Sequence, residues 1–501
     1  MLLFCIIVAD KNRSVRKYLT IGILYGILYM PITDIGFNYT AKCNRLHVEW
    51  SEKMKIYSVE AEQIKEMGAT GAIQRNIDEV FSAGGGEVQV PAGDWHIGSI
   101  RLRSRVTLHL LENAHLIASR DPNEYEYHSE SDIEPVPPEE RTDVLWEPWN
   151  VRKNYDFMMK PISRWNRAMI RAIDATDISI IGEKGAYLDG MDCYDALGEE
   201  RYRGPHAINI HRCKNVVFRG YIVKNSGNWA HALFECENIA MENVQVLAGH
   251  DGIHVTSCDN VTIRNCDFQT GDDCVAGIDN LNVLVSDCRL NTACSAFRFG
   301  GTNVTVRNCR LTGPARYLFR GGLSEEEKKS GVIADSRGRV CNMLSAFTYY
   351  SDFSRPIRQN PGNITIEDCV FHNTTRFLHY NFSGNEPWQR NRPLEDITFR
   401  RIFAEGISMP LTLYGDRERK VVLKIEDSVI AFDETSDCEL IRACYYDWIM
   451  LRRVTVKGLR GDAMIRKWCE SGEVRMEEVS CENFCGETEA IATEPFVCKT
   501  I

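Results

Sequence analysis

Between residues 249 and 301 apolar and polar positions fall in short blocks that repeat. The order is GHDGIHVTSC, then DNVTIRNCDFQTGDDCVAGIDNLNVLVSDC, then RLNTACSAFRFGG. Rows of 22 stack Ile253, Val275 and Phe297 in one column, His254, Ala276 and Arg298 in the next, and Asp251, Asp273 and Ser295 in a third. A period in the low twenties, built from β-branched triplets and polar turns without helical spacing, predicts a parallel β-solenoid. Each coil then buries its apolar side chains only against the coils above and below.

The pattern extends both ways. Residues 70–86, TGAIQRNIDEVFSAGGG, place Ile73, Ile77, Val80 and Phe81 at helical spacing, and the glycine run stops the helix. Such a helix would cover the open end of the first coil, where apolar surface and unpaired strand edges are otherwise exposed. Short strands follow in GEVQVPAGDWHIG, SRVTLHLLENAHLIAS and AIDATDISIIGEKGAYLDG. Residues 121–166, rich in Glu, Pro and Trp, break the pattern and read as a long excursion from a coil. Asn215, Asn238, Asn260, Asn282 and Asn303 each open a strand, at spacings of 23, 22, 22 and 21, and predict a ladder of stacked amides with a structural role. Asn363 resumes the series after 60 residues, which predicts about one extra turn plus an insertion within 322–362. That insertion carries Tyr349, Tyr350, Phe353, Arg355 and Arg358, either as a wall for a sugar cleft or as a packed surface loop. Later coils, around 395–403, 421–432, 448–458 and 473–484, are less regular.

Residues 1–53 differ from the rest. Lys11, Arg13, Arg16 and Lys17 precede an apolar run at 18–32, too short and interrupted for a comfortable membrane span. The segment reads as a signal or anchor, or as sequence ahead of a natural start at Met54, leaving 54–501 as a single domain. Membrane association is not expected unless 18–32 anchors the chain.

Composition narrows the picture. Hydrophobic content of 44% and charged content of 26% suit a soluble globular protein. A net charge of −11 argues against nucleic acid as a partner. An acidic sugar polymer could still bind a locally basic cleft. Many of the nineteen cysteines fall in coil register, as in Cys213, Cys236 and Cys258, or Cys266, Cys288 and Cys309. This favours buried thiols and a cytoplasmic setting, with secretion the alternative if the leader is a signal peptide. No CxxC pair or zinc signature occurs, so no metal or organic cofactor is expected.

The chemistry lies in the carboxylates. Glycosidic hydrolysis needs an acid for the leaving oxygen and a base for water. Asp251 and Asp273 lie one coil apart, about 4.8 Å between backbones, and strand parity turns Asp272 elsewhere. Crowded like charges would raise one pKa. A lone Asp after Gly more often caps a turn; three beside a basic column favour catalysis.

The run GHDGIHVTSCDNVTIRNCDFQTGDDCVA resembles the core of the polygalacturonase family, glycoside hydrolase family 28. The likeness extends to the segments beginning IQRNIDEVF and GPHAINIHRC, the latter including Trp229, and covers most of residues 71–309. The resemblance implies an all-β fold, a right-handed parallel β-helix with a short N-terminal capping helix. It also implies inverting hydrolysis of a pectin-type poly- or oligosaccharide, with Asp272 as general acid and Asp251 and Asp273 holding the water. The chain departs from the family's pattern where Gly249 and His250 replace Asn and Thr, and where Ser295 takes the His position. RYLFRGG offers only Arg320 near the Lys of a basic segment. Candidate substrate contacts are Arg298 and His254, which share a strand parity, together with His250 and Arg320. Arg298 could instead pair with a neighbouring Asp, His254 could be a solvated strand residue, and His250 could take part of the missing His role beside Asp251. Rival readings are a β-helix lyase or epimerase, often calcium-dependent and recruiting Arg298 or His254 as base, and a non-catalytic carbohydrate-binding solenoid.

Overall fold

Three short strands per coil, linked by turns and repeated in register, make up most of the chain. The computed structural model describes residues 55–129, 163–331, 341–349, 361–382, 393–468 and 472–492, and the backbone of 18–23 and 26–31. The chain divides into two compact units, Met1–Met54 and Lys55–Ile501. In the first, Tyr18–Ile23 pairs antiparallel with Gly26–Pro31. Among the described residues no helix is long and apolar enough to cross a membrane.

The second unit is a right-handed parallel β-helix. Six consecutive coils, at 168–189, 206–224, 231–248, 253–270, 275–292 and 295–312, form its regular part. A typical coil runs Ile253–Thr256, Asp259–Arg264, Asp267–Thr270, and each strand pairs in parallel with its equivalent one coil on. The expected columns are present: Ile253 registers with Val275 and that with Phe297, while His254, Ala276 and Arg298 follow beside them. Val255, Val261, Ile263 and Phe268 point inward and are fully buried, so each coil is covered only by its neighbours.

The asparagine ladder has a backbone cause. Asn215, Asn238, Asn260, Asn282, Asn303 and Asn363 all hold φ between 52° and 58°, a left-handed conformation that Asn tolerates better than most residues. Each amide Nδ2 from Asn238 on donates to the Oδ1 one coil back, at 2.9–3.1 Å. Asn363 donates to Asn303 directly, so the extra turn expected between them does not exist. Ser295–Arg307 pairs with both Met343–Tyr349 and Gly362–Glu367, and the 60 residues form one long coil carrying excursions between its strands. Of the aromatic and basic residues expected to wall a cleft there, Tyr350, Phe353, Arg355 and Arg358 lie outside the described residues. Tyr349 is buried and donates its hydroxyl to the Pro393 carbonyl at 3.0 Å.

The helix α1 spans Ala61–Ser82 and begins earlier than the periodicity predicts, with a break at Gly68 (φ 73°, ψ 164°). Ile73, Ile77 and Val80 are buried as expected, against the first-coil strands Gly86–Val90 and Gly93–Ile97. Phe81 is half-buried beneath the Arg103 guanidinium. The register of cysteines is also explained: Cys213 N donates to Cys236 Sγ and Cys236 N to Cys258 Sγ, each at 3.4 Å. Cys193 to Cys485 are free thiols where described.

Candidate active site

The turns 225–230, 249–252, 271–274 and 293–294 join the last strand of one coil to the first strand of the next, and they lie one above another. Backbone bonds hold the stack: Ala230 N donates to Asp251 O at 2.9 Å, Gly252 N to Asp273 O at 3.0 Å, and Cys274 N to Ser295 O at 3.1 Å. Glycine is required in two of these turns because the 318–320 segment presses on them. A Cβ on Gly249 would fall 2.6 Å from Arg320 Cγ, and one on Gly271 would fall 2.0 Å from Leu318 O.

These turns bring Asp251, Asp272 and Asp273 together with 4%, 8% and 3% exposure respectively. Strand parity does not apply to Asp272, because residues 271–274 form a turn. Its Oδ1 accepts from Asp273 N at 3.0 Å, and the carboxylate oxygens of Asp272 and Asp273 approach within 4.8 Å. Asp272 therefore faces its neighbours, contrary to the expectation that it points away. Thr270 and Thr292 both donate to the Asp272 carbonyl and fix the turn.

Burial first, and then the charge of Asp272, push the Asp273 carboxyl up to about 7, against the pull of Arg298. The same causes, burial followed by Asp272 and Asp273, drive Asp251 well above the ordinary carboxylate range. Crowding of like charge in a buried site thus favours a proton on Asp251 and Asp273 near neutrality.

Each candidate contact has a definite place. His254 is buried, stacks on Trp229 with ring centroids 3.8 Å apart, and places Nδ1 3.1 Å from Asp251 Oδ2. It is not a solvated strand residue. Arg298 lies 3.8 Å from Asp273 Oδ2 with its side chain 29% exposed, so it pairs with the aspartate and still reaches the open side. His250 does not stand by Asp251 as expected; its Nδ1 accepts from Arg203 Nη1 at 3.0 Å. Burial and the Arg203 charge hold it neutral, its pKa well below the usual imidazole value. Arg320 is buried, donates to Asp192 at 3.1 Å and to the Lys328 carbonyl at 3.0 Å. That position does not fit a substrate contact: its guanidinium neutralises a buried aspartate behind the turns. Ser295, at the expected His position, donates its N–H to Asp273 Oδ1 at 2.8 Å.

Arg203 is the main residue that sequence reasoning missed. It arrives from the excursion after the 168–189 coil, 3.4 Å from Asp272 Oδ2 and 3.0 Å from Glu200 Oε2. Excursions carry no repeat, so periodicity cannot place them. Trp165 was missed for the same reason; it meets Trp229 edge-on at 5.1 Å and His206 at 5.2 Å.

Among the described residues, Asp272, Asp273 and Cys294 form a group with metal-ligand spacing. Burial and the three aspartates hold the Cys294 thiol well above its usual pKa. One protonated thiol and two carboxylates are a poor match for calcium's six to eight oxygens, and we assign no metal there.

Comparison with known proteins finds a family match over part of the chain and a shared fold. Residues 155–312 match the glycosyl hydrolases family 28. A protein of Vitis vinifera named "Probable polygalacturonase" is 28% identical over 190 residues, 36% of this chain and 33% of its own length. The chain thus spans about a third of the curated relative it matches. An exopolygalacturonase from Thermotoga maritima superposes with a TM-score of 0.56 at 17% identity, covering 83% of this chain and 96% of its own. A family 28 exopolygalacturonase from Yersinia enterocolitica gives 0.50 at 14% identity, covering 89% and 79%. At such identities the likeness is one of fold.

Proposed function

We propose, from a family 28 glycosyl hydrolase segment carried on a parallel β-helix, that this chain is a glycoside hydrolase of pectin-type poly- or oligosaccharides. The observation that carries the reading is the convergence of Asp251, Asp272 and Asp273 in one buried site on stacked turns, where Asp251 and Asp273 are both pushed above the ordinary carboxylate range. Asp272, at the general-acid position, protonates the glycosidic oxygen, while Asp251 and Asp273, on successive coils, hold the attacking water.

Asp272 and Asp273 lie closer together than the roughly 6.5–9.5 Å that leaves room for water between an inverting pair. The anomeric configuration of the product is therefore the decisive readout for the roles of these carboxylates. His254, locked on Trp229, orients Asp251, and Arg298 balances the charge of Asp273 while facing the sugar.

The test is incubation of the full chain with homogalacturonan and rhamnogalacturonan fragments, following reducing ends, absorbance of unsaturated uronate and anomeric configuration by proton NMR. New reducing ends of inverted configuration, lost in Asp272→Asn, are expected. Retained configuration would make Asp272 or Asp273 a nucleophile. Unsaturated products surviving the substitution would make the chain a lyase, and binding without turnover a carbohydrate-binding solenoid.

A further inference from the structure

The third strands of the 253–270, 275–292 and 295–312 coils carry an open groove of about 350 Å³, lined by Asp267, Gln269, Arg289, Asn291, Arg310 and Arg316 among others. Phe268, Leu290 and Leu311 point inward from these strands and are buried, so Asp267, Arg289 and Arg310 project outward. His254 and Arg298 project outward from the first strands of their coils, so the groove occupies a different face of the solenoid. Asn291 builds its floor: Nδ2 donates to the Thr312 carbonyl at 2.7 Å and the Pro314 carbonyl at 2.9 Å, while Oδ1 accepts from Arg316 N at 2.7 Å. The segment that carries Arg316 is thereby fastened beside the strands.

The charge of the groove is unbalanced. Arg289 registers with Arg310, on strands roughly 4.8 Å apart, and Arg316 adds a third cation. Like charges side by side across a ladder are unfavourable. Elsewhere neighbouring coils set opposite charges in register and pair them, as in Glu242 with Arg264 at 3.1 Å and Glu426 with Arg452 at 2.7 Å. Here one carboxylate faces three guanidinium groups. Its Oδ2 already accepts from Gln245 at 2.9 Å, Arg289 at 3.2 Å and Gln269 at 3.3 Å. Arg310 donates to a ring nitrogen, His372 Nε2, at 3.0 Å. Among the described residues neither Arg310 nor Arg316 pairs with a carboxylate, and both are exposed. On a chain of net charge −11 such a local excess is where an anion can approach.

We infer that this groove is a second, non-catalytic binding site for an acidic polysaccharide, gripping the polymer through its carboxylates at Arg310 and Arg316. The inference rests on the carbohydrate reading above. Cations spread over successive coils suit a linear chain whose charges recur along its length, and each planar guanidinium can hold a carboxylate with two hydrogen bonds. A polymer held here keeps its other segments at high local concentration near the aspartates, so a second grip strengthens binding of long chains and not of short ones.

Calorimetric titration of the full chain carrying Asp272→Asn, at constant ionic strength, tests this without requiring turnover. Adding Arg310→Gln and Arg316→Gln together should weaken binding of long polygalacturonate roughly 10- to 100-fold and leave trigalacturonate and the methyl-esterified polymer unchanged. Unchanged binding of the polymer, or an equal loss for the trimer, would overturn the site. Sodium sulfate that displaces the polymer better than sodium chloride of equal ionic strength would make the groove a general oxyanion site and overturn the polysaccharide assignment. If circular dichroism shows the combined variant unfolded, Arg316→Gln alone carries the same comparison. With Asp272 intact, the two substitutions should raise KM for the polymer and leave kcat unchanged; a fall in kcat at constant KM would count against the site. Polymer-selective binding that the arginine variants lose, without any hydrolysis, would sink the hydrolase and leave the groove standing. Hydrolysis with polymer binding untouched by the variants would do the reverse.

Discussion

Asp273 shows how surroundings set the proton affinity of one side chain, and what that does to the fold. Its carboxyl is pushed up to about 7 in the native state, burial first and Asp272 second, whereas an unfolded Asp titrates near 4. Between those values the native state binds more protons than the unfolded one, so stability falls as pH rises through that window. Asp273→Asn removes the linkage. Its thermal midpoint should exceed wild type at pH 8, and the gap should close at pH 4; a wild-type advantage at pH 8 would refute the assignment. Turnover should drop by about 100-fold or more in the same variant, which pairs a stability gain with a functional loss. At this scale the sequence was readable where residues repeat. The 22-residue spacing gave Asp251 and Asp273 their shared site, and the column of His254 and Arg298 held. It misread Asp272, because a turn does not obey strand parity, and His250, because its partner Arg203 arrives from an excursion.

The stacked turn is the element on which the repeat depends. Asn260 sits at φ 58°, donates to Asn238 at 3.0 Å and accepts from Asn282 at 3.1 Å. Asn260→Ala loses both amide bonds and places a less tolerant residue in a left-handed position, a cost of about 1–3 kcal/mol. Asn260→Gly keeps the backbone free and should lose less. Urea midpoints of the two variants check the order, and a neutral Ala substitution would leave the ladder without a structural role. The ladder was legible from spacing alone, but its length was not. The 60-residue gap read as an extra turn because counting assumes that every coil has a similar contour. A coil may carry any length of chain between its strands, and here Asn363 still lands on Asn303. The early start of α1 was hidden because AEQIKEM, at 61–67, has only Ile64 and Met67 to mark a buried face.

In the whole molecule, parallel register makes each coil answer chiefly to its neighbours, so a solenoid tends to fray from its ends. The final strands Glu473–Glu477 and Glu487–Ile491 are largely exposed, as such an end would be. Two ion pairs do not follow that wiring. Arg203, after the 168–189 coil, reaches Asp272 beyond the 253–270 coil, and Asp192 from the same excursion meets Arg320 beyond the 295–312 coil. They are shortcuts in an otherwise linear network, and they join the first and last of six coils. Amide exchange followed by mass spectrometry should show residues 168–320 opening as one block, and Asp192→Asn should break that block into a gradient. A smooth gradient already present in the wild type would mean the shortcuts carry no load. If the block is real, the chain has tied its chemistry to the stretch that lets go last: unravelling from either end would halt before the three aspartates parted, and a partly unzipped molecule could go on working.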